Sequence, residues 1–118
     1  MLQPSILLVE DDAFQRKAAE TYLMNHDLKV IAVENGAQMR RQISRAMPDL
    51  VLLDVQLPDI DGFQVAEQLS RLADPPAVVL TSSRDSADYG RCIQVCGASG
   101  FVPKADLSGA AIAALLIA

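Results

Sequence analysis

The hydrophobic positions of this chain fall into five short runs, each followed by a stretch with helical spacing. Ser5 to Val9 (SILLV), Leu50 to Leu53 (LVLL) and Ala77 to Leu80 (AVVL) are unbroken apolar runs, and Leu28 to Val33 (LKVIAV) is short and β-branched. Gly100 to Pro103 (GFVP) makes the fifth strand. Continuous runs of this kind suit strands buried on both faces of a parallel sheet. From Ala13 to about Asn25, Ala18, Ala19, Tyr22 and Leu23 share one helical face, which Phe14 does not join. Asn35-Gly36 could turn a hairpin, but Met39, Ile43, Ala46 and Met47 behind it have helical spacing, so Asn35 is read as an N-cap. Asp61 is placed to cap a helix carrying Phe63, Ala66, Leu69 and Leu72, and Pro75-Pro76 then forces a loop. A helix is predicted from about Ser86 to Cys96, weakened at Gly90 by roughly 1 kcal/mol relative to alanine and ended by Gly97 in the left-handed conformation. The last helix is predicted from Ala105 to Ala118. Beyond Ser108 it has no polar side chain, so it is expected to show apolar surface outward and to pack against something, either a second copy or a partner. Strict alternation of strand and helix implies a parallel sheet with right-handed crossovers and helices on both faces, an α/β fold.

Composition narrows the class. At 118 residues the chain is expected to be one domain, able to bury a core without staples. Hydrophobic residues make up 51%, yet no apolar stretch reaches the roughly 18 residues of a spanning helix. Met1 to Ser5 lacks the features of a signal peptide, and a cytoplasmic protein away from membranes is expected. The formal net charge of −5 argues against direct nucleic-acid binding, which draws on clustered Lys and Arg. Cys92 and Cys96, four apart on one predicted helix, would have Cβ atoms about 5–6 Å apart, beyond the roughly 3.5–4.5 Å of a disulfide. They are expected to be thiols. With a single histidine, His26, and no CxxC pair, a zinc-type site is not expected.

The chemistry gathers at the strand ends. Glu10, Asp11 and Asp12 follow the first run, Asp54 closes the third, Thr81, Ser82 and Ser83 the fourth, and Lys104 the fifth. Each has a plain alternative, since acids and hydroxyls cap helices. Asp12 or a neighbour is expected to do so. In open α/β sheets, however, ligands are met just outside the carboxyl ends of the strands, and three adjacent carboxylates repel one another unless a cation sits among them. Oxygen ligands of this kind suit Mg²⁺, which keeps several waters and binds phosphates. A carboxylate can itself be the nucleophile, giving an aspartyl phosphate, while metal, lysine and hydroxyl share the charge of the transferring group.

VEDD (Val9–Asp12), LLDVQLPDIDG (Leu52–Gly62), LTSS (Leu80–Ser83) and GASGFVPKAD (Gly97–Asp106) together resemble the receiver domain of two-component response regulators. The resemblance runs over essentially the whole chain, 1–118, and implies a flavodoxin-like (βα)5 three-layer sandwich with strand order 2-1-3-4-5. It implies that Asp54 is the phosphoacceptor, taking its phosphoryl group from a phosphohistidine on a sensor histidine kinase or phosphotransfer protein. It implies Mg²⁺ held by Asp11, Asp54 and the backbone carbonyl of Gln56, with Glu10 acting through a water and Asp12 outside the set. Thr81 matches the switch hydroxyl, Lys104 the lysine that pairs with the phosphoryl group, and Phe101 the aromatic that turns inward with the threonine. On this reading the chain is a phosphoacceptor that assists its own phosphorylation and dephosphorylation, not a turnover enzyme.

Several positions depart from the family pattern. Ala105 follows Lys104 where proline is usual, and Pro103 precedes it, so a trans and differently shaped turn is expected there. Phe101 lacks a hydroxyl. Gln56 and Ser83 lie where the family tunes self-dephosphorylation. Two other readings compete: a small-molecule phosphohydrolase, which would want an acid where Gln56 stands, and a pseudo-receiver interaction module not controlled by phosphorylation. A nucleotide switch lacks GxxxxGK[ST]. The chain could also be part of a longer regulator.

Overall fold

The computed structural model describes residues 3–83, 89 and 95–116. Five parallel strands, β1 (Ser5–Val9), β2 (Lys29–Val33), β3 (Leu50–Asp54), β4 (Ala77–Ser82) and β5 (Gly100–Pro103), form one sheet in the order 2-1-3-4-5. Among the described residues the α-helices are α1 (Ala13–Met24), α2 (Gly36–Arg45), α3 (Gly62–Ser70) and α4 (Gly109–Leu116). The expected helix from Ser86 to Cys96, and the thiol of Cys92, lie outside the described residues apart from Tyr89 and the segment's last two positions. Gly97 has φ +79°, the left-handed conformation read from the sequence. No helix among the described residues is long and apolar enough to cross a membrane.

All five residues of β3 are buried, because both faces of the sheet are covered. Leu50 and Leu52 point into one core with Ile6, Leu8, Ala19, Leu23 and Ile112, under α1 and α4. Val51 and Leu53, one residue out of phase, point into the other with Met39, Val65, Ala66 and Leu69, under α2 and α3. A strand serving two apolar layers cannot alternate with polar residues, which is why these runs are continuous. At the edge where the strands begin, the chain is laced together: Ser5 N–H donates to Asp49 Oδ2 at 2.7 Å, Asp49 N–H to the Ser5 carbonyl at 2.9 Å and Ala77 N–H to the Asp49 carbonyl at 3.1 Å.

The caps are those anticipated. Asp12, Asn35 and Asp61 each accept a backbone N–H of the helix they precede, at 2.9 Å. Phe14 is exposed, as its phase on α1 requires, but Ala18 is exposed as well and only Ala19 and Leu23 of the expected face are buried.

Four boundaries differ from the sequence reading. Helix α2 ends at Arg45, so Ala46 and Met47 lie outside it; Pro48 disfavours helical backbone in the residue before it, and the chain straightens to enter β3. Helix α3 ends at Ser70, leaving Leu72 exposed in the loop toward Pro75. Strand β4 runs on through Thr81 and Ser82, which pair with Val102 and Pro103, so these hydroxyls are carried within the strand. After Pro103 a single 3₁₀ turn, Lys104–Asp106, replaces the expected start of the last helix. That helix begins at Gly109, with Ser108 Oγ accepting Ala111 N–H at 3.0 Å. The turn contains no cis peptide bond.

Leu52 is fully buried at the centre of the sheet, so Leu52→Ala is expected to destabilise the fold by about 2–5 kcal/mol. Urea denaturation should show a lower midpoint with an unchanged slope.

Candidate functional site

Parallel register assembles the site. Asp54 is the last residue of β3 and Thr81 its direct neighbour on β4, while Thr81 is in turn paired with Val102, two residues before Lys104. Glu10 and Asp11 leave the end of β1, the strand on the other side of β3. Residues far apart in sequence thus share one edge of the sheet, as the sequence reading required.

Glu10, Asp11 and Asp54 each offer a carboxylate oxygen, all within 4.8 Å of one another. Glu10 and Asp54 are both 5% exposed, and Asp11 faces solvent. The Lys104 ammonium bridges the two buried acids, 2.7 Å from Glu10 Oε1 and 2.8 Å from Asp54 Oδ2. One ammonium against three carboxylates leaves the cluster two charges negative, the deficit that a divalent cation makes up. The donor set, carboxylate oxygens on one open side, is of the kind Mg²⁺ takes.

Burial raises the Glu10 pKa above the ordinary carboxylate value, against the bonds from Lys104 and the Asp12 N–H. Burial also works against the Lys104 charge, yet the hydrogen bonds to Asp54 and Glu10 prevail and its pKa is raised. The two directions agree physically. Two buried acids sharing one cation hold the lysine charged while Glu10 stays under-compensated.

Thr81 is 3% exposed, and its Oγ1 has no hydrogen-bond partner among the described residues. A buried hydroxyl in that state costs about 1–3 kcal/mol, a cost removed when an oxygen-rich group enters beside it. Thr81, Lys104, Glu10 and Ser83 line a cavity of about 250 Å³ together with Phe14 and Tyr22 of α1.

The loop after Asp54 is held from three sides. Val55 N–H donates to the Thr81 carbonyl at 2.9 Å, Gln56 N–H to Asp54 Oδ1 at 2.9 Å, and Gly62 N–H to the Val55 carbonyl at 3.0 Å. Gly62 has to be glycine here: a Cβ would stand 2.8 Å from Val55 Cα and 2.9 Å from the Asp54 carbonyl oxygen. Asp59 reaches across to α2, accepting Gly36 N–H at 2.8 Å and Ala37 N–H at 3.1 Å.

Phe101 is half-buried and packs against the core under α2 and α3. Its ring lies 5.7 Å from that of Tyr89, which lies 5.3 Å from Phe63. The Tyr89 hydroxyl is 2.5 Å from Ser82 Oγ.

Sequence reasoning missed Gln15, Arg16, Asp59 and Tyr89. Gln15 Oε1 accepts from Lys104 Nζ at 2.5 Å. Arg16 Nη1 donates to the Glu10 carbonyl at 3.0 Å and lies 3.8 Å from Glu34. Only Gln15 had a local signal, three residues after the capping Asp12.

Comparison with known proteins agrees with this geometry. The family model described as the response regulator receiver domain matches residues 6–114, and the chain belongs to that family. The transcriptional regulatory protein GltR of Pseudomonas aeruginosa is 42% identical over 87 residues, covering 71% of this chain and 36% of its own length. The transcriptional regulatory protein AfsQ1 of Streptomyces coelicolor is 38% identical over 101 residues, covering 86% of this chain and 44% of its own. The chain therefore spans less than half the length of either relative. The crystal structure of the BeF3-activated N-terminal receiver domain of Klebsiella pneumoniae RstA superposes with a TM-score of 0.84 at 33% identity, covering 96% of each chain.

The two backbone bonds to Asp59 lower its pKa from 3.8. A depressed carboxylate contributes stability above its unfolded pKa and loses it as pH falls through the folded value. Asp59→Ala is thus expected to be less stable than the parent at neutral pH, the two converging in acid below the depressed value, as read by denaturant midpoints across pH.

Proposed function

We propose that this receiver domain is phosphorylated on Asp54, with Mg²⁺ bound, by a sensor histidine kinase or phosphotransfer protein, and that the phosphoryl group switches a partner-binding surface. The observation that carries the reading is the Lys104 ammonium, 2.8 Å from Asp54 Oδ2, with the Thr81 hydroxyl, which has no partner among the described residues, on the adjacent strand position. Asp11, Asp54 and the Gln56 carbonyl would hold the ion, with Glu10 acting through a water. When bound, the ion supplies positive charge to the transferring oxygens.

In the transfer an Asp54 carboxylate oxygen forms the new O–P bond as the N–P bond of the donor phosphohistidine breaks, its electron pair returning to the imidazole nitrogen. Lys104 takes charge on a phosphoryl oxygen, and Thr81 donates its hydroxyl proton in a hydrogen bond to another. Loss of the group is attack by water on phosphorus, restoring the Asp54 carboxylate and releasing phosphate. Gln56 and Ser83 match the positions where the family tunes self-dephosphorylation, which supports reading the domain as a phosphoacceptor that assists its own reset. A cytoplasmic location fits such a donor.

The energetics are of the right order for a switch. Moving a population from 1:99 to 99:1 takes about 5.5 kcal/mol. Two or three charge-assisted bonds at roughly 1.5–3 kcal/mol each supply it. Phe101 would follow Thr81 through packing alone.

The outward side of α4 is read as a docking surface, for a second copy or a partner. Of its described residues Ala110 and Ala114 are exposed while Ile112 is buried, so the outward face is small and flat.

With acetyl phosphate and Mg²⁺, the chain should gain a base-labile, acid-stable phosphoryl adduct by intact mass that Asp54→Asn does not gain. Equal gain in the variant, or none in the parent, overturns the assignment. Mg²⁺ at ten times its dissociation constant should stabilise the fold by about 1.4 kcal/mol, a gain Asp11→Ala should lose. Sedimentation at high concentration should show self-association through α4, and a strict monomer would exclude a second copy there.

A further inference from the structure

A lysine ammonium has three N–H bonds to place. Lys104 gives them to Asp54 Oδ2, Glu10 Oε1 and Gln15 Oε1, at 2.8, 2.7 and 2.5 Å. The first two acceptors are carboxylates of the acidic cluster. The third is a neutral amide from α1, a residue the family reading assigned no role.

Gln15 stands at the third position of α1, where a glutamine ordinarily folds back onto backbone N–H groups at the helix's own start. Helix α2 shows a local bond of this kind: Gln38, three residues after the capping Asn35, accepts the N–H of Glu34, the residue before the cap, at 2.9 Å. In α1 the capping half is present, with Asp12 Oδ1 accepting Gln15 N–H at 2.9 Å. The cap's own N–H, that of Asp12, is given to Glu10 Oε2 at 3.2 Å, and the Gln15 amide oxygen lies on Lys104 instead.

We propose that Gln15 is a positioning residue for phosphoryl transfer, holding the Lys104 ammonium against Asp54 without itself touching the phosphoryl group; this rests on the function proposed above. The reason lies in the different fates of the three acceptors. Glu10 belongs to the set that turns toward a divalent cation, so its hold on Lys104 competes with the ion. Asp54 spends its oxygens on the ion and the incoming phosphorus. Gln15 carries no charge and is no rival for the metal, so it keeps its bond while the other two are drawn off. A long flexible side chain with one fixed acceptor stays aimed where one with none would swing away.

The test measures the rate of adduct formation from acetyl phosphate at saturating Mg²⁺ for the full chain, Gln15→Met, Lys104→Met and the double variant. Methionine keeps the length and removes the acceptor. Gln15→Met should slow the reaction about fivefold, the loss of one ordinary hydrogen bond. It should leave the Mg²⁺-induced rise in Tm unchanged. In the Lys104→Met background the same change should have no further effect, because Gln15 acts only through the lysine. An unchanged rate overturns the proposal, as does an equal loss in the Lys104→Met background or a smaller Mg²⁺-induced rise. A parent chain that takes no adduct overturns the phosphoryl reading itself, a result distinct from a parent that reacts and a Gln15→Met that reacts equally well.

Discussion

Two buried carboxylates, Glu10 and Asp54, share a single ammonium, and the organisation of the site follows from that imbalance. Burying acids is costly unless they are paired, and here the pairing is incomplete by design of the strand ends. Lys104 holds the cluster together, but it cannot neutralise it. The remaining negative charge, part of it on the solvent-facing Asp11, and the Thr81 hydroxyl, without a partner among the described residues, lie together at one edge of the sheet. A cation would offset the acids, and an oxygen-rich group beside Thr81 would accept a hydrogen bond from its hydroxyl. Such a set is chemically complementary to both, which supports the function proposed for it.

The scaffold makes that imbalance tolerable. A parallel sheet buried on both faces places its strand ends in register, so Asp54 and Thr81 are neighbours through backbone pairing and do not depend on side-chain packing to meet. Both cores contribute, because the central strand sends Leu50 and Leu52 one way and Val51 and Leu53 the other. Stability is gathered in the layers, and the edge is left to carry charge.

Most of this was legible in the sequence, for physical reasons. Continuous apolar runs mark doubly covered strands, Asp12, Asn35 and Asp61 cap helices by local chemistry, and a carboxylate directly after LVLL has nowhere to go but the sheet edge. What was misread were boundaries where two local preferences meet. Ala46 and Met47 have helical spacing, but Pro48 takes precedence; Ala105 looks helical, but Ser108 supplies the cap and the helix waits for it. Thr81 and Ser82 were read as closing a strand they in fact belong to, since hydroxyls are common both in caps and on strands. The partners of Lys104 and Asp59 were out of reach because they are set by three-dimensional neighbours. Gln38 bonds back to the Glu34 N–H beside its own helix, whereas Gln15, at the same helix position, reaches Lys104 at the end of another strand.

The lacing of Ser5, Asp49 and Ala77 at the far end of the strands has its own consequence. With β1, β3 and β4 tied together where they begin, their register is set from the edge opposite the acids. The alignment that makes Asp54 and Thr81 neighbours is thus anchored at the end of the sheet that carries no chemistry.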